Sequence, residues 1–338
     1  MKYLSVCSGI EAATSAWHPL GWEAVGFSEI EPFPSAVLKH HYPDVPNFGD
    51  MSNYREWNLG TDRLDLLVGG TPCQSFSVAG LRKGLADPRG NLALVYCGML
   101  DHFRPRWFVW ENVPGVLSSH GGRDFGAFLG AVGELGYGFS YRVLDAQYFG
   151  VAQRRRRVFV VGHLGDWRRS AAVLFERESL RRDTAPSRET GKESAAPAGQ
   201  SAESCSRMVA FGEYVDDGTA SAMKARDYKD ATDLISYGIP GNWIGRSPQN
   251  GGNAVQPMYD LAPNLTSTDR HGVAHDMAVR RLTPTECERL QGFPDNHTDI
   301  LWKGKPVGDG ARYKALGNSM AVPVMNWIGK RIQMVDNL

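Results

Sequence analysis

The stretch Leu64-Asp65-Leu66-Leu67-Val68-Gly69-Gly70-Thr71-Pro72-Cys73 begins as an apolar run and ends in a glycine turn that carries a thiol. A short apolar run bounded by Gly and Pro is typical of a buried strand that ends in a tight loop. The pattern predicts a strand over 64–70 and places Cys73 at the edge of a sheet. A free cysteine is more often a buried packing residue than a nucleophile. The other segments of the chain therefore decide how Cys73 is interpreted.

Similar apolar runs alternate along the chain with segments of helical period. Strands are predicted over 3–7, 20–27, 45–50, 107–110, 139–144 and 158–161, and helices over 34–41, 91–103, 123–135, 280–292 and 322–335. Thr283, with Glu286 three residues later, predicts a capping box at the start of the helix over 280–292. This alternation is typical of the α/β class. We expect a doubly wound, mostly parallel, Rossmann-like sheet with its site at the carboxyl ends of the strands.

The composition limits the classes of function. The chain has 338 residues and a formal net charge of zero, so binding of nucleic acid requires a local basic patch. Its five cysteines are scattered without a C-x-x-C pair, which argues against a disulfide framework and a zinc site. We therefore expect no metal site. Because no apolar run resembles a signal peptide or a membrane span, we expect a cytoplasmic protein.

The composition changes after Trp167. Residues 176–204 are almost entirely small, polar or charged, which predicts a flexible segment that cannot bury enough surface to fold alone. Residues 208–276 are rich in Gly, Asn, Asp and Tyr without helical period, as in an irregular β-rich module. We expect one domain formed by 1–167 and 305–338, and a second, smaller β-rich domain over 168–304.

Carboxyl groups follow three of the predicted strands. Glu29 and Asp50 end the second and third, where a carboxylate can accept hydrogen bonds from ribose hydroxyls and an adenine amino group. Glu111 follows the apolar run 107–110, whose surroundings favour a raised pKa and a protonated carboxyl. An ordinary acid at a helix N-terminus is the alternative for Glu111.

A run of four arginines, Arg154 to Arg157, precedes the strand predicted over 158–161. Alternation along a strand turns Arg155 and Arg157 to one face and the other two to the opposite face. Guanidinium groups beside a site can recognise phosphate or carbonyl oxygens. For Arg154 and Arg156 a solvated basic patch is the alternative.

The motifs Pro72-Cys73-Gln74, Glu111-Asn112-Val113, Gln153-Arg154-Arg155-Arg156-Arg157 and Gly317-Asn318-Ser319-Met320 occur in this order. In them the sequence resembles the DNA (cytosine-5)-methyltransferases of bacterial or phage type, which depend on S-adenosylmethionine. The resemblance covers about residues 3–165 and 279–330. Between them the chain matches only in position, as the family's variable target-recognition region.

The resemblance implies a role for individual residues. Cys73 is the expected nucleophile, Glu111 the acid at the ring nitrogen of cytosine, and Arg155 the contact to its carbonyl oxygen. The expected cofactor contacts are Ser8, Gly9, Ile10, Glu29, Ile30, Asp50, Met51, Pro72, Asn91, Leu92, Asn318 and Ser319. The expected DNA contacts are Gln74, Ser75, Arg82, Arg157, Leu265 and Thr266.

The first loop departs from the family pattern at two positions. Cys7 stands where an aromatic residue is commoner, and Glu11 stands where glycine is commoner. In the recognition region, Asn264 stands where threonine is usual before the leucine. These departures concern the details of cofactor packing and of target recognition.

The implied function is transfer of a methyl group from S-adenosylmethionine to C5 of a cytosine flipped out of duplex DNA. In this hypothesis the Cys73 thiolate adds to C6, and residues 75–89 form a mobile lid. The implied partner is double-stranded DNA, with association to the nucleoid, a monomeric enzyme and a cognate restriction endonuclease as further expectations. A transfer-RNA cytosine methyltransferase and a catalytically silent DNA-binding relative are the alternatives. A cysteine hydrolase fits worst, because no histidine occupies a partner position.

Overall fold

The computed structural model describes residues 1–60, 63–71, 91–176 and 282–338 in full, and the backbone of short strands within 205–280. A six-stranded sheet in the order β2-β1-β3-β4-β6-β5 forms the centre of the described part. Its strands are β1 (Lys2–Val6), β2 (Glu23–Ser28), β3 (Leu66–Gly69), β4 (Trp107–Asn112), β5 (Tyr137–Asp145) and β6 (Arg156–Leu164).

The first four strands run parallel, in agreement with the predicted mostly parallel α/β sheet. Only β6 departs from it, because it pairs antiparallel with both β4 and β5, so that β5 runs in the same direction as the first four strands. Only residues 146–155 connect β5 to β6, and they include a 3₁₀ turn over Ala146–Tyr148. A parallel pair needs a crossover of a dozen or more residues, so this short connection produces a hairpin.

Helices cover both faces of the sheet. They are α1 (Ala12–Trp17), α2 (Pro32–His41), α3 (Leu92–Phe103), α4 (Arg123–Glu134), α5 (Trp167–Leu174), α6 (Pro284–Gln291), α7 (Asp309–Asn318) and α8 (Val322–Asp336). Side chains of each strand alternate between the two layers: Trp107 and Val109 face α1 and α8, whereas Phe108 and Trp110 face α3 and α4. Both layers are cores of buried apolar side chains, as expected of a doubly wound sheet.

The prediction of a strand over 45–50 is wrong. This segment makes a single bridge, between Phe27 and Asn47, and then turns at Gly49, where φ is 73°. Pro46 has no N–H to donate to a ladder, so pairing cannot extend. The chain continues into a 3₁₀ helix over Met51–Glu56, and the Asp50 side chain accepts a hydrogen bond from the Ser52 N–H at 2.9 Å.

The segment that follows the variable region returns to the sheet. The capping box predicted at α6 is present, because Thr283 and Glu286 satisfy each other's backbone N–H groups. Cys287, Phe293 and Ile300 belong to the same apolar core as Trp107 and α8. Since Val173 and Leu174 of α5 join this core too, we propose that the sheet domain extends over 1–176 and 282–338.

The described backbone within 205–280 is β-structure. A three-stranded antiparallel sheet has the order β8-β7-β9, and β10 pairs antiparallel with β11. These strands are β7 (Cys205–Ala210), β8 (Glu213–Asp216), β9 (Asp233–Ile235), β10 (Val273–His275) and β11 (Ala278–Arg280), followed by the hairpin β12 (Leu301–Trp302) and β13 (Lys305–Pro306). A separate recognition domain stays a prediction. Among the described residues, every helix is too short or too polar to cross a membrane.

Candidate active site

A cavity of about 780 Å³ opens at the carboxyl ends of β1 to β4. A second, smaller cavity of about 40 Å³ lies beside it and shares Gly9, Gly70, Glu111 and Asn318 with it. Of the expected site residues, the larger cavity is lined by Gly9, Glu29, Ile30, Asp50, Met51, Leu92, Glu111, Arg155, Arg157 and Asn318. Segments separated by almost the whole chain therefore meet at one edge of the sheet, as the strand-end rule predicts.

The loop between β1 and α1 forms one wall. Cys7, Gly9 and Glu11 all have positive φ, at 49°, 57° and 66°. Within this loop the Ser8 N–H donates to the Ser28 carbonyl at 3.1 Å and the Glu11 N–H donates to the Ser8 carbonyl at 3.0 Å. The Gly9 N–H donates to Glu29 Oε2 at 2.8 Å, and the Glu31 N–H donates to Glu29 Oε1 at 2.7 Å. Both oxygens of Glu29 are thus fixed in position, and among the described residues each accepts this one hydrogen bond.

The next wall combines apolar surface with a carboxylate. Ile30 is 71% exposed and lines the larger cavity, which leaves its side chain free to cover a flat ligand. Met51 is buried, and its sulfur lies 3.6 Å from the Cys7 thiol. Burial and the nearby Glu29 and Asp50 raise the pKa of Cys7 to about 12, so this thiol stays protonated.

Two of the expected cofactor residues, Ile10 and Asn91, line neither cavity. The Ile10 side chain is fully buried in the apolar core, and its backbone carbonyl contacts the His297 ring at 2.9 Å. Asn91 caps α3, accepting from the Ala93 N–H at 3.0 Å, and Leu92 rather than Asn91 lines the larger cavity. Ser8 and Ser319 line the smaller cavity.

Glu111 lies on β4, opposite Phe159 of β6, and lines both cavities. Its Oε1 accepts from the Arg157 Nε–H at 3.0 Å. Burial raises the pKa of the Glu111 carboxyl, and the opposing charges of Arg157 and Arg155 limit that rise. The environment thus favours a carboxyl that can hold a proton while keeping a cation beside it.

The strand end that leads to Cys73 is anchored next to Glu111. The Asn112 amide donates to the Thr71 carbonyl at 3.0 Å, and the Trp110 indole N–H donates to the Thr71 hydroxyl at 3.0 Å. Gly70 fills the space in front of the carboxyl, where a Cβ atom would lie 2.9 Å from Glu111 Oε2. Two residues before Cys73, the backbone is therefore fixed against the strand that carries Glu111.

The two inward arginines have different partners. As predicted, Arg155 and Arg157 share a face and both line the larger cavity. The Arg155 guanidinium is buried and donates to the carbonyls of Gly317, at 3.2 Å, and Ser319, at 2.6 Å. Burial lowers the pKa of Arg155 to about 9. Arg155 is thus engaged with the C-terminal end of α7, and Arg157 is the arginine held against Glu111.

A family model described as C-5 cytosine-specific DNA methylase matches residues 1–334. The chain belongs to this family. Methylase relatives include a DNA N-6-adenine-methyltransferase of Escherichia phage P1, which is 40% identical over 98% of this chain but 61% of its own length. Type II methyltransferase M.HpaII of Haemophilus parainfluenzae is 27% identical over 98% of this chain and 88% of its own length.

Solved methylase structures share the fold. The crystal structure of S. pombe Dnmt2 methyltransferase covers 100% of both chains with a TM-score of 0.61 at 16% identity. A putative DNA modification methyltransferase from an E. coli prophage covers 100% of both chains with a TM-score of 0.56 at 17% identity. The chain spans less than two thirds of the phage P1 relative and 33% of an orphan methyltransferase of Bacillus phage rho11s.

Several residues expected in the methylase site lie outside the described residues. They are Pro72, Cys73, Gln74, Ser75, Arg82, Leu265 and Thr266. Their roles stay predictions.

The structure adds residues that the motifs did not single out. Thr71 and Asn112 anchor the strand end, and Glu11 lines the smaller cavity. Lys314 pairs with Glu31 at 3.1 Å at the edge of the larger cavity. Sequence could have identified two of these residues, because Asn112 belongs to a quoted motif and Glu11 is a departure from the family pattern. The contact of Lys314 with Glu31 joins residues 283 positions apart, so no local pattern indicates it.

Proposed function

We propose that this methylase transfers a methyl group from S-adenosylmethionine to C5 of a cytosine extruded from duplex DNA, through a bond between Cys73 and C6. The observation that carries this proposal is the position of Glu111. It lies between Arg157 and the anchored end of β3, and it borders the cavity that holds Glu29 and Asp50. An acid for the base and a pocket for an adenosine thus meet within one site.

The lining of the larger cavity fits S-adenosylmethionine. Glu29 has both oxygens positioned to accept from ribose hydroxyls, and Ile30 offers exposed apolar surface to an adenine ring. Asp50 borders the same end of the cavity and can accept from an amino group. When bound, this cofactor supplies an electrophilic methyl group.

The protein groups activate the cytosine. C5 is a poor nucleophile until the Cys73 thiolate adds to C6 and electrons move toward N3. Protonated Glu111 donates to N3 as this charge develops. After methylation of C5, the C5 proton passes to water, which restores the C5–C6 double bond and expels the Cys73 thiolate, and the N3 proton returns to Glu111. Because neither ring face is reachable inside a duplex, the base must be extruded, at a cost of a few kcal/mol.

We assign the contact to the cytosine carbonyl oxygen to Arg157 in place of Arg155. Arg157 lies beside Glu111, so its remaining N–H groups can reach the same edge of the base. The carbonyls of Gly317 and Ser319 already hold the Arg155 guanidinium. Arg155 then positions the cofactor loop rather than the target.

The product of the reaction tests the proposal. The chain is expressed in a bacterium without DNA methylation, and its DNA is digested to nucleosides for mass spectrometry. We expect 5-methylcytosine with the wild-type chain and none with Cys73→Ser. Bisulfite sequencing of the same DNA would then give the recognition sequence, which we attribute to the β-rich region within 205–280.

Methylation of adenine N6 is the second candidate, since the phage P1 relative carries that name. This chain covers 61% of that relative, so the named activity can belong to the part that does not match. N6-methyladenine in the digest would support this candidate. Methylated cytosine in RNA and none in DNA would support the transfer-RNA alternative.

A further inference from the structure

Glu11 is a charged residue in a position that favours glycine. Its φ is 66°, in the left-handed region that costs a residue with a Cβ atom about 1 kcal/mol. Strained backbone of this kind persists where the surroundings hold it, often at functional sites.

The Glu11 side chain is almost fully buried, with 1% of its surface exposed. Its Oε1 accepts from the Thr14 N–H at 3.0 Å and the Thr14 hydroxyl at 3.1 Å, and its Oε2 accepts from the Ser5 hydroxyl at 2.8 Å. All three donors are neutral. Among the described residues, no Lys or Arg forms an ion pair with it. A buried carboxylate without a cation is costly, so its charge calls for a partner.

The cavity provides the place for that partner. Glu11 lines the smaller cavity together with Gly9, Gly70 and Asn318, which also line the larger one. Glu29 and Asp50 add negative charge on the other side of the same loop, where their charges raise the pKa of Cys7. Their hydrogen bonds to described residues likewise come from backbone N–H groups. This end of the site therefore has an excess of negative charge.

We propose that Glu11 selects the sulfonium cofactor over its thioether product. The proposal rests on the proposed function, in which S-adenosylmethionine is the methyl donor. The donor carries one net positive charge at neutral pH, and S-adenosylhomocysteine carries none. A buried carboxylate that borders the cofactor cavity attracts the sulfonium and loses this attraction once the methyl group has left. Glu11 would thus favour binding of the donor and release of the product.

Capping α1 does not require this charge. An N-cap needs an acceptor for the Thr14 N–H, and neutral Gln, Asn or Ser supplies one. Glu11→Gln keeps that acceptor, and its amide can donate to the Ser5 hydroxyl, which can rotate. The variant therefore removes the charge and keeps the local structure.

Isothermal titration calorimetry tests the proposal with three ligands. They are S-adenosylmethionine, S-adenosylhomocysteine and sinefungin, whose ammonium group stands where the donor has its sulfonium. In Glu11→Gln we expect S-adenosylmethionine and sinefungin to bind about tenfold more weakly and S-adenosylhomocysteine to bind as in the wild type. Glu134→Gln, at the end of α4 on the surface, should leave all three affinities unchanged.

Two results would overturn the proposal. Equal weakening of all three ligands would place Glu11 near the ammonium group that they share. Unchanged affinities would leave Glu11 only as a cap. If Glu11→Gln fails to fold, Glu11→Gly, which relieves the positive φ, replaces it with the same expectations. A wild-type protein that binds none of the three ligands would contradict the proposed function instead.

Discussion

At the scale of single residues, the two inward arginines separate target chemistry from cofactor binding. Arg157 Nε lies 3.0 Å from Glu111 Oε1, whereas Arg155 donates hydrogen bonds to the carbonyls of Gly317 and Ser319. Arg157→Ala should lower the single-turnover methylation rate about 100-fold with little change in cofactor affinity. Arg155→Ala removes the donor to the Gly317 carbonyl and leaves the Ser319 carbonyl with the longer bond from Gln291 at 3.4 Å, so the dissociation constant for S-adenosylmethionine should rise about tenfold.

Calorimetry and rapid-quench kinetics at saturating cofactor measure these two quantities separately. The opposite pattern is a lower methylation rate in Arg155→Ala and weaker cofactor binding in Arg157→Ala. That result would assign the contact with the cytosine carbonyl oxygen to Arg155.

Gly70 tests whether Glu111 needs the space in front of it. A methyl group at this position would lie 2.9 Å from Glu111 Oε2 and 3.2 Å from Met320 Cε. Displacing a catalytic group by a fraction of an ångström can cost about 100-fold in rate, and we expect Gly70→Ala to lose that much. Gly126→Ala on α4 is the control, because nothing lies within 4 Å of its added methyl group. Equal activity of the two variants would show that Glu111 has room to move.

Sequence alone predicted these residues unevenly. Glu29, Glu111 and Asn318 follow from motifs at strand or helix ends, and the structure brings all three to one cavity. The resemblance assigned the carbonyl contact to Arg155, and strand alternation could not separate Arg155 from Arg157, because it puts both on the same face. Their different partners depend on a loop more than 150 positions away, and no local pattern encodes that contact.

At the scale of elements, α1 is capped by the Glu11 carboxyl, which is easier to bury when it is protonated. Burial raises the pKa of Glu11 to about 7 from 4.5, against hydrogen bonds that oppose the rise. The titratable groups that face it are Tyr3 on β1, Tyr42 after α2 and Glu29 after β2. The His297 ring packs behind the same loop, where its Nε2 lies 2.9 Å from the Ile10 carbonyl oxygen. Burial lowers the pKa of His297 to about 4, so this imidazole is neutral above that pH.

The direction of the pH effect follows from this shift. Between pH 4.5 and 7 the folded chain holds a proton on Glu11 that the unfolded chain has lost, so stability falls as the pH rises. The full effect is about 3 kcal/mol. Relative to the wild type, Glu11→Gln should therefore become more stable by up to that amount from pH 4.5 to pH 8, as measured by urea unfolding. A difference that is independent of pH would show that Glu11 is ionised throughout.

The elements themselves were largely predictable from periodicity. The strand before Cys73 and the capping box at Thr283 are where the sequence placed them. The hairpin of β5 and β6 was not predicted, because strand periodicity does not report direction. The segment 45–50 was apolar enough for a strand, but Pro46 and Gly49 limit it to one bridge.

At the scale of the whole molecule, the C-terminal helix closes the fold against the N-terminal one. α8 packs against α1 and α5, and its Met325 carbonyl accepts from the Trp17 indole at 2.7 Å. Ile328 is fully buried on this face, and Met334 is 64% exposed on the same helix. Ile328→Asp should cost several kcal/mol and leave the chain largely unfolded, because an unpaired charge enters the core. Met334→Asp should melt as the wild type does, in a circular dichroism scan.

The domain limits stay a prediction, and composition and packing place them at different residues. Composition marks the change after Trp167, but α5 and the segment from Thr283 onward pack into the sheet domain. A change of composition reports where packing becomes weaker, whereas the boundary depends on which core each apolar side chain joins. Cys287 and Ile300 join the core of the sheet across more than 100 positions of intervening chain.

The covalent bond between Cys73 and the target base is the central claim, and duplex DNA that contains 5-fluorocytosine tests it most directly. Fluorine at C5 cannot leave as a proton, so the final elimination stops after methyl transfer. With S-adenosylmethionine present, we expect a protein–DNA adduct that survives denaturing electrophoresis and is absent in Cys73→Ser. Failure of the wild-type protein to form an adduct on DNA that it methylates, or an adduct that persists in Cys73→Ser, would contradict this mechanism.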